Sequence, residues 1–119
     1  MTRRFRDATF CLLTWVFIAS EALAAPPAPG RYGGQLCVST SGAPAQCGPV
    51  ALLFQRGKLR MQFSDLVYTL EQQAPSAQMR LVLMHNHVQI DEFLTRGEWL
   101  ARSLRFKDPD KDVRYEVRW

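Results

Sequence analysis

The sequence contains few of the side chains that build metal centres and nucleophile sites. Its 119 residues include three cysteines and two histidines, whereas a structural zinc site normally takes four Cys or His ligands. No serine lies in a Gly-x-Ser-x-Gly motif, which places the nucleophile in one large group of hydrolases. The sequence therefore predicts a protein that is not an enzyme, with no catalytic residue and no cofactor.

Long apolar runs are also scarce, and the single clear one is Ala8–Ser20. As a helix it would reach about 20 Å, short of the roughly 30 Å of a bilayer core. Three arginines between residues 3 and 6 precede it, and Ala22-Leu23-Ala24 follows with small residues at the positions that signal peptidase reads. We predict a cleavable signal peptide at residues 1–24 and an exported protein, periplasmic or extracellular. An uncleaved N-terminal helix is the alternative.

An excess of charge of one sign is absent as well. The chain has 15 Lys and Arg and 11 Asp and Glu, and loss of three arginines and two acids with residues 1–24 leaves a net charge of +3. These charges are dispersed, whereas nucleic-acid surfaces concentrate basic residues on one face. The sequence therefore predicts no nucleic-acid partner. It also predicts no permanent membrane span after cleavage.

Two cysteines remain once Cys11 is removed with the signal peptide. An even number of cysteines in an exported chain predicts a disulfide, here between Cys37 and Cys47. The closed loop has 11 residues, for which the chain-entropy model gives about 2.8 kcal/mol of stabilisation.

The remaining chain alternates apolar and polar residues, the period of a half-buried strand. Residues 25–30 (APPAPG) predict a proline-rich spacer, because proline lacks the amide donor of a paired strand. Residues 31–119 then predict one mainly β domain, a small antiparallel barrel or sandwich of about eight short strands. The predicted strands are Tyr32–Val38, Val50–Gln55, Lys58–Phe63, Val67–Gln72, Met79–Met84, Val88–Leu94, Glu98–Lys107 and Val113–Trp119.

The segment 91–104 has two interpretations. Its apolar residues fit one side of a helix, but Gly97 in the middle costs a helix about 1 kcal/mol relative to alanine. A hairpin that turns at Thr95-Arg96-Gly97 is therefore preferred.

Candidate site residues are few. His85 and His87 would face the same way on a strand and form the only candidate pair of metal ligands, but they bracket Asn86 at a predicted turn. Asp108-x-Asp110-x-Asp112 resembles the start of a calcium loop, yet Val113 stands where the turn requires glycine. A polar turn explains this segment better.

Trp99 is the candidate for partner binding. If Glu98–Lys107 is one strand, Leu100, Leu104 and Phe106 share a face and Trp99 lies on the opposite one. An exposed tryptophan is a common anchor for a binding partner. The sequence thus predicts a non-catalytic envelope module that binds another macromolecule, of the inhibitor, immunity or assembly-accessory type. The alternative is a small-ligand carrier with a barrel cavity, although the many large inward residues predict a packed interior. The sequence does not predict an oligomeric state.

Overall fold

The structure is a computed structural model that describes residues 25–119, so the predicted signal peptide at 1–24 lies outside the described residues. No helix in this part of the chain has the length and apolarity to cross a membrane. The predicted mainly β fold is confirmed, with nine strands instead of about eight. They are β1 (Gly30–Thr40), β2 (Gln46–Gln55), β3 (Lys58–Phe63), β4 (Leu66–Gln72), β5 (Gln78–His85), β6 (Val88–Arg96), β7 (Glu98–Leu100), β8 (Ser103–Asp108) and β9 (Val113–Arg118).

The strands form one antiparallel sheet in the order β6-β5-β4-β3-β2-β1-β9-β8-β7. Strands β1 to β6 are a meander, and β9 returns to pair with the other side of β1. The two edge strands, β6 and β7, follow each other directly in the chain. The sheet therefore curls back on itself as a nearly closed barrel.

Gly97 lets the barrel close by bending one strand across two partners. Arg96 pairs with β5, and two residues later Glu98 pairs with β8, so residues 88–100 run as a single bent strand. A Cβ at Gly97 would collide with the Met79 side chain and come within 2.9 Å of Leu104 Cδ1. The absence of a side chain at Gly97 thus makes room for Met79 of β5 and Leu104 of β8, which would have to shift to admit a Cβ.

The predicted hairpin at residues 95–97 is therefore wrong, and the helical alternative is also absent from this segment. The chain turns instead at Ala101-Arg102, where Arg102 has a φ of 63°. This turn divides the predicted strand Glu98–Lys107 into β7 and β8.

Before Gly97, β6 and β8 share no backbone hydrogen-bond ladder, and side chains connect the two strands instead. Thr95 Oγ1 donates a hydrogen bond to the Lys107 carbonyl at 2.7 Å. Lys111, in the turn after β8, donates to Asp91 Oδ2 at 2.8 Å. These two contacts form the seam of the barrel.

The inward faces of the strands fill the barrel as the alternation predicted. Leu81, Leu104 and Val117 have no exposed surface. Phe63 fills the space beside Gly48, since a Cβ at Gly48 would lie 2.6 Å from Phe63 Cε1. The predicted β2–β3 hairpin is confirmed, with Gln55 opposite Lys58 and Gly57 at a φ of 70°.

The disulfide between Cys37 and Cys47 is present. The two residues are direct cross-strand partners in β1 and β2. Cys37 neighbours the inward Leu36 in sequence, which places the bridge on the outer face of the barrel. Because disulfides persist in oxidising compartments, this bond is consistent with export.

Candidate functional site

Among the described residues, a mostly apolar cavity of about 280 Å³ lies at one end of the barrel. We call this the cavity end; the turn between β2 and β3 lies there, and the disulfide lies toward the opposite end. Most of the lining is apolar, both aliphatic and aromatic, and the polar side chains Gln55, Lys58 and Gln72 are exposed at the mouth. The lining residues are Pro26, Phe54, Gln55, Gly57, Lys58, Leu59, Leu70, Gln72, Ala77, Met79, Gly97, Trp99 and Leu104.

Three inward aliphatic side chains form the inner part of the cavity lining. Leu59, Leu70 and Met79 come from β3, β4 and β5, and all three are buried. A hydrogen bond at 2.8 Å from the Gln72 amide to the Gly57 carbonyl holds two of the end loops together. The expected packed interior is therefore wrong at this end of the barrel, although it holds through the middle.

Two aromatic side chains, Phe54 and Trp99, line one side of the cavity, and Tyr32 and Trp119 pack against them. We call these four residues the aromatic collar. Phe54 lies at the centre, with ring centroids 5.4 Å from Tyr32, 6.5 Å from Trp99 and 4.9 Å from Trp119. Edge-to-face pairs at these distances stabilise beyond the area they bury. The collar is thus a preformed aromatic wall.

Trp99 does not stand free on an outer face as the sequence predicted. It lies partly buried against the core, and its ring is 6.2 Å from that of Trp119. The sequence pattern assigned Trp99 to the outer face because it did not reveal the turn at Ala101-Arg102. Its role as a partner contact stays a prediction, now as part of the cavity lining.

The chain end supplies the fourth collar residue. The Trp119 amide donates to the Arg102 carbonyl at 3.1 Å, and Arg102 Nε donates to the Trp119 carbonyl at 2.9 Å. These reciprocal bonds hold Trp119 over the cavity end. The alternation of β9 had indicated an inward Trp119, but not its contact with Phe54.

The proline-rich segment Ala25–Pro29 lies at the same end. Pro26 lines the cavity, and Tyr32 Oη donates a hydrogen bond to the Ala28 carbonyl at 2.7 Å. The segment is therefore in contact with the collar. Sequence reasoning assigned it only as a spacer, since a proline run by itself gives no signal of where it docks.

The candidate metal ligands lie toward the other end. His85 Nε2 is 2.7 Å from Asp65 Oδ2, and this contact holds the pKa of Asp65 below its usual value. His87 lies in the β5–β6 turn with a φ of 68°, next to Asn86 at 49°. Among the described residues, no three His, Cys, Asp or Glu side chains are grouped closely enough to hold a metal ion.

Polar side chains also enter the barrel near this end. Tyr115 stacks on Phe106 at 4.9 Å, and burial, with Tyr68, Asp108 and Asp91 adding to it, raises the pKa of Tyr115 to about 12. Asp108 is buried and accepts a hydrogen bond at 2.9 Å from the Asp110 amide. These groups stabilise a turn and the seam, and they lie away from the cavity.

A second, polar depression lies on the outer face across β6, β8 and β9. It contains Arg96, Lys107 and Arg114, and the last two are direct cross-strand partners. Like charges placed opposite each other destabilise a sheet. The depression also contains Arg105, Glu98 and Glu116, and Arg105 is paired with Glu116, so four cationic and two acidic side chains leave a net charge of +2.

Comparison of the chain with protein-family models, with curated proteins and with solved structures finds no match.

Proposed function

We propose that the protein is an exported, non-catalytic module of the periplasm or extracellular space that binds a macromolecular partner. The binding site is the cavity, which accepts an apolar group that projects from the partner. The observation that carries this proposal is an aliphatic cavity of about 280 Å³ beside a preformed aromatic collar at one open end of the barrel.

The cavity is small enough for a single large side chain of a partner to fill it. Its volume of about 280 Å³ is at the lower end of the roughly 300–1,000 Å³ of small-molecule sites, so size alone also admits a small ligand. Interface hot spots are well-packed pockets that receive one large anchor residue. Tryptophans such as Trp99 are enriched among the residues that line them.

The chemistry of the lining supports a binding role. Lys58 is the only titratable side chain that lines the cavity in the described part of the chain. General acid–base work needs a proton donor or acceptor within hydrogen-bond reach of the reacting group, commonly with a partner that tunes its pKa. Apolar contact with the aliphatic walls is thus the main interaction that the cavity offers.

Two tryptophan variants test the proposal by affinity capture from an envelope extract. Ala77 is exposed at the cavity mouth, and Ala77→Trp would cover the opening without entering the core. Ala43 is equally exposed in the loop between β1 and β2 at the opposite end. We expect an identified partner to be captured by the wild type and by Ala43→Trp but not by Ala77→Trp. Equal capture by all three proteins would contradict the cavity as the site.

A small-ligand carrier is the second candidate, favoured by the continuous aliphatic lining. The dye anilinonaphthalene sulfonate, an apolar probe, is expected to fluoresce with the wild type and Ala43→Trp and to lose that signal with Ala77→Trp. A defined small molecule that copurifies with the wild type and is absent from Ala77→Trp in native mass spectrometry would favour the carrier over the macromolecule-binding module.

A further inference from the structure

The chain itself places an extended proline-rich segment against the cavity. Ala25–Pro29 contains three prolines in five residues and forms no strand. Pro26 lines the cavity and Pro27 is partly buried, while the rest of the segment is exposed. We call Ala25–Pro29 the strap.

Tyr32 links the strap to the aromatic collar. Its hydroxyl donates to the Ala28 carbonyl at 2.7 Å, and its ring packs edge-on against Phe54 with an interplanar angle of 89°. An aromatic wall combined with a donor aimed at a main-chain carbonyl is suited to polyproline II segments, whose carbonyls make no internal hydrogen bonds. The geometry therefore matches the chemistry of its own occupant.

Energetics favour the same ligand class. A proline-rich segment is already extended before binding, so it loses little conformational entropy when it docks. Its rings supply apolar surface to the aliphatic cavity, and it has few amide donors that would be buried without acceptors. A helix or a paired strand would leave the Tyr32 hydroxyl without a free carbonyl to bind.

We propose that the cavity end recognises extended proline-rich segments of a partner protein and that the strap occupies this site in cis as a competing ligand. The proposal rests on the proposed function, because it names the chemical class of partner for the same cavity. A short tether gives the strap an effective concentration in the millimolar range. A partner segment therefore binds by displacing the strap, and the strap lowers its apparent affinity.

The probe for this proposal is the peptide acetyl-Ala-Pro-Pro-Ala-Pro-Gly-amide, titrated by calorimetry into protein purified from expression of the full-length chain. Pro26→Ala weakens the strap at an exposed position outside the strands. We expect Pro26→Ala to bind the peptide about 3- to 10-fold more tightly than the wild type, because more of the site is open.

The donor is tested separately in the Pro26→Ala background, so that the cis competition is already weakened. Adding Tyr32→Phe keeps the ring and removes the hydroxyl. We expect peptide binding to weaken by about 2- to 10-fold, the range for one lost hydrogen bond. The same peptide with alanine at each proline is expected not to bind, and Ala77→Trp is expected to abolish binding where Ala43→Trp does not.

The outcomes separate this proposal from the proposed function. If the cavity binds anilinonaphthalene sulfonate but no variant binds the proline peptide, the cavity remains the binding site and proline recognition is wrong. If neither probe binds any variant, both proposals fail. Equal binding of the proline and alanine peptides, or equal affinity in wild type and Pro26→Ala, would also overturn the strap's role.

Discussion

Two adjacent glycines in β1 give opposite predictions for the same substitution. Gly34 lies where the chain end crosses β1, and a Cβ there would overlap the Arg118 carbonyl and come within 2.9 Å of Leu52 Cδ1. A Cβ at Gly33 would meet no heavy atom within 4 Å. Neither glycine has a positive φ, so the substitutions differ in space and not in backbone strain. Gly34→Ala should destabilise the protein, and Gly33→Ala should not.

The size of the effect follows from what must move. The overlapping atom is backbone, so the chain end must shift by about 1 Å to reach ordinary contact distances. The Trp119 amide is 3.1 Å from the Arg102 carbonyl and would leave hydrogen-bond range, a loss of about 1 kcal/mol. Disturbing the Phe54–Trp119 pair, now at 4.9 Å, costs about 0.5–1.5 kcal/mol more. With residual crowding against Leu52, we expect a loss of about 2–4 kcal/mol.

Thermal melts followed by circular dichroism measure this loss. For a domain of this size, Gly34→Ala should lower the Tm by roughly 10–25 °C. Gly33→Ala should stay within about 1 kcal/mol of the wild type or be slightly more stable, because alanine restricts the unfolded chain. If Gly34→Ala melts at the same temperature as Gly33→Ala, the close approach of the Arg118 carbonyl to Gly34 is refuted, and with it the placement of Trp119 in the collar.

Three further predictions concern the bonds that hold the barrel. Reduction of the Cys37–Cys47 disulfide should lower the free energy of unfolding by about 2–3 kcal/mol in urea titrations, and recovery of either cysteine as a free thiol from native protein would contradict the pairing. Tyr115→Phe should remove the latest phenol from an alkaline absorbance titration. Because the pKa of Tyr115 is about 12 in the folded protein and near 10 in the unfolded chain, its contribution to the free energy of unfolding is present below pH 10 and is lost as the pH rises toward 12. The Tyr115→Phe variant should therefore lose less stability between pH 10 and 12 than the wild type. Asp91→Asn should reduce stability at pH 7 by under about 1 kcal/mol, measured by urea unfolding. The hydrogen bond from Lys111 lowers the pKa of Asp91, so the difference should disappear as the pH falls below the unfolded value of about 4; a difference that persists at pH 2 would refute the seam contact.

Much of the fold was predictable from local pattern. The alternation in Lys58–Phe63 and in Val113–Trp119 identified strands and their inward faces, since successive side chains on a strand point to opposite sides. The β2–β3 hairpin was predictable from Gly57, because its turn requires a positive φ that glycine adopts without strain. The disulfide followed from the number of cysteines in an exported chain.

The closure of the barrel was not predictable in this way. Gly97 looked like a turn residue, but it lies inside a bent strand, where Met79 and Leu104 approach it from strands far apart in the sequence. Missing the turn at Ala101-Arg102 put Trp99 on the wrong face, because that turn pairs Trp99 with the inward Leu104.

The sequence by itself determined most of the strands, most of their inward faces and the Cys37–Cys47 pairing, because alternation and turn chemistry act over a few residues. Only the tertiary structure decided that residues 88–100 bend from β5 to β8, and that the strap and the chain end meet at one opening. The cavity and its collar depend on contacts between distant segments, such as Phe54 with Trp99 and with Trp119. Such contacts follow from how the sheet curls, since the curl sets which distant side chains share an end of the barrel.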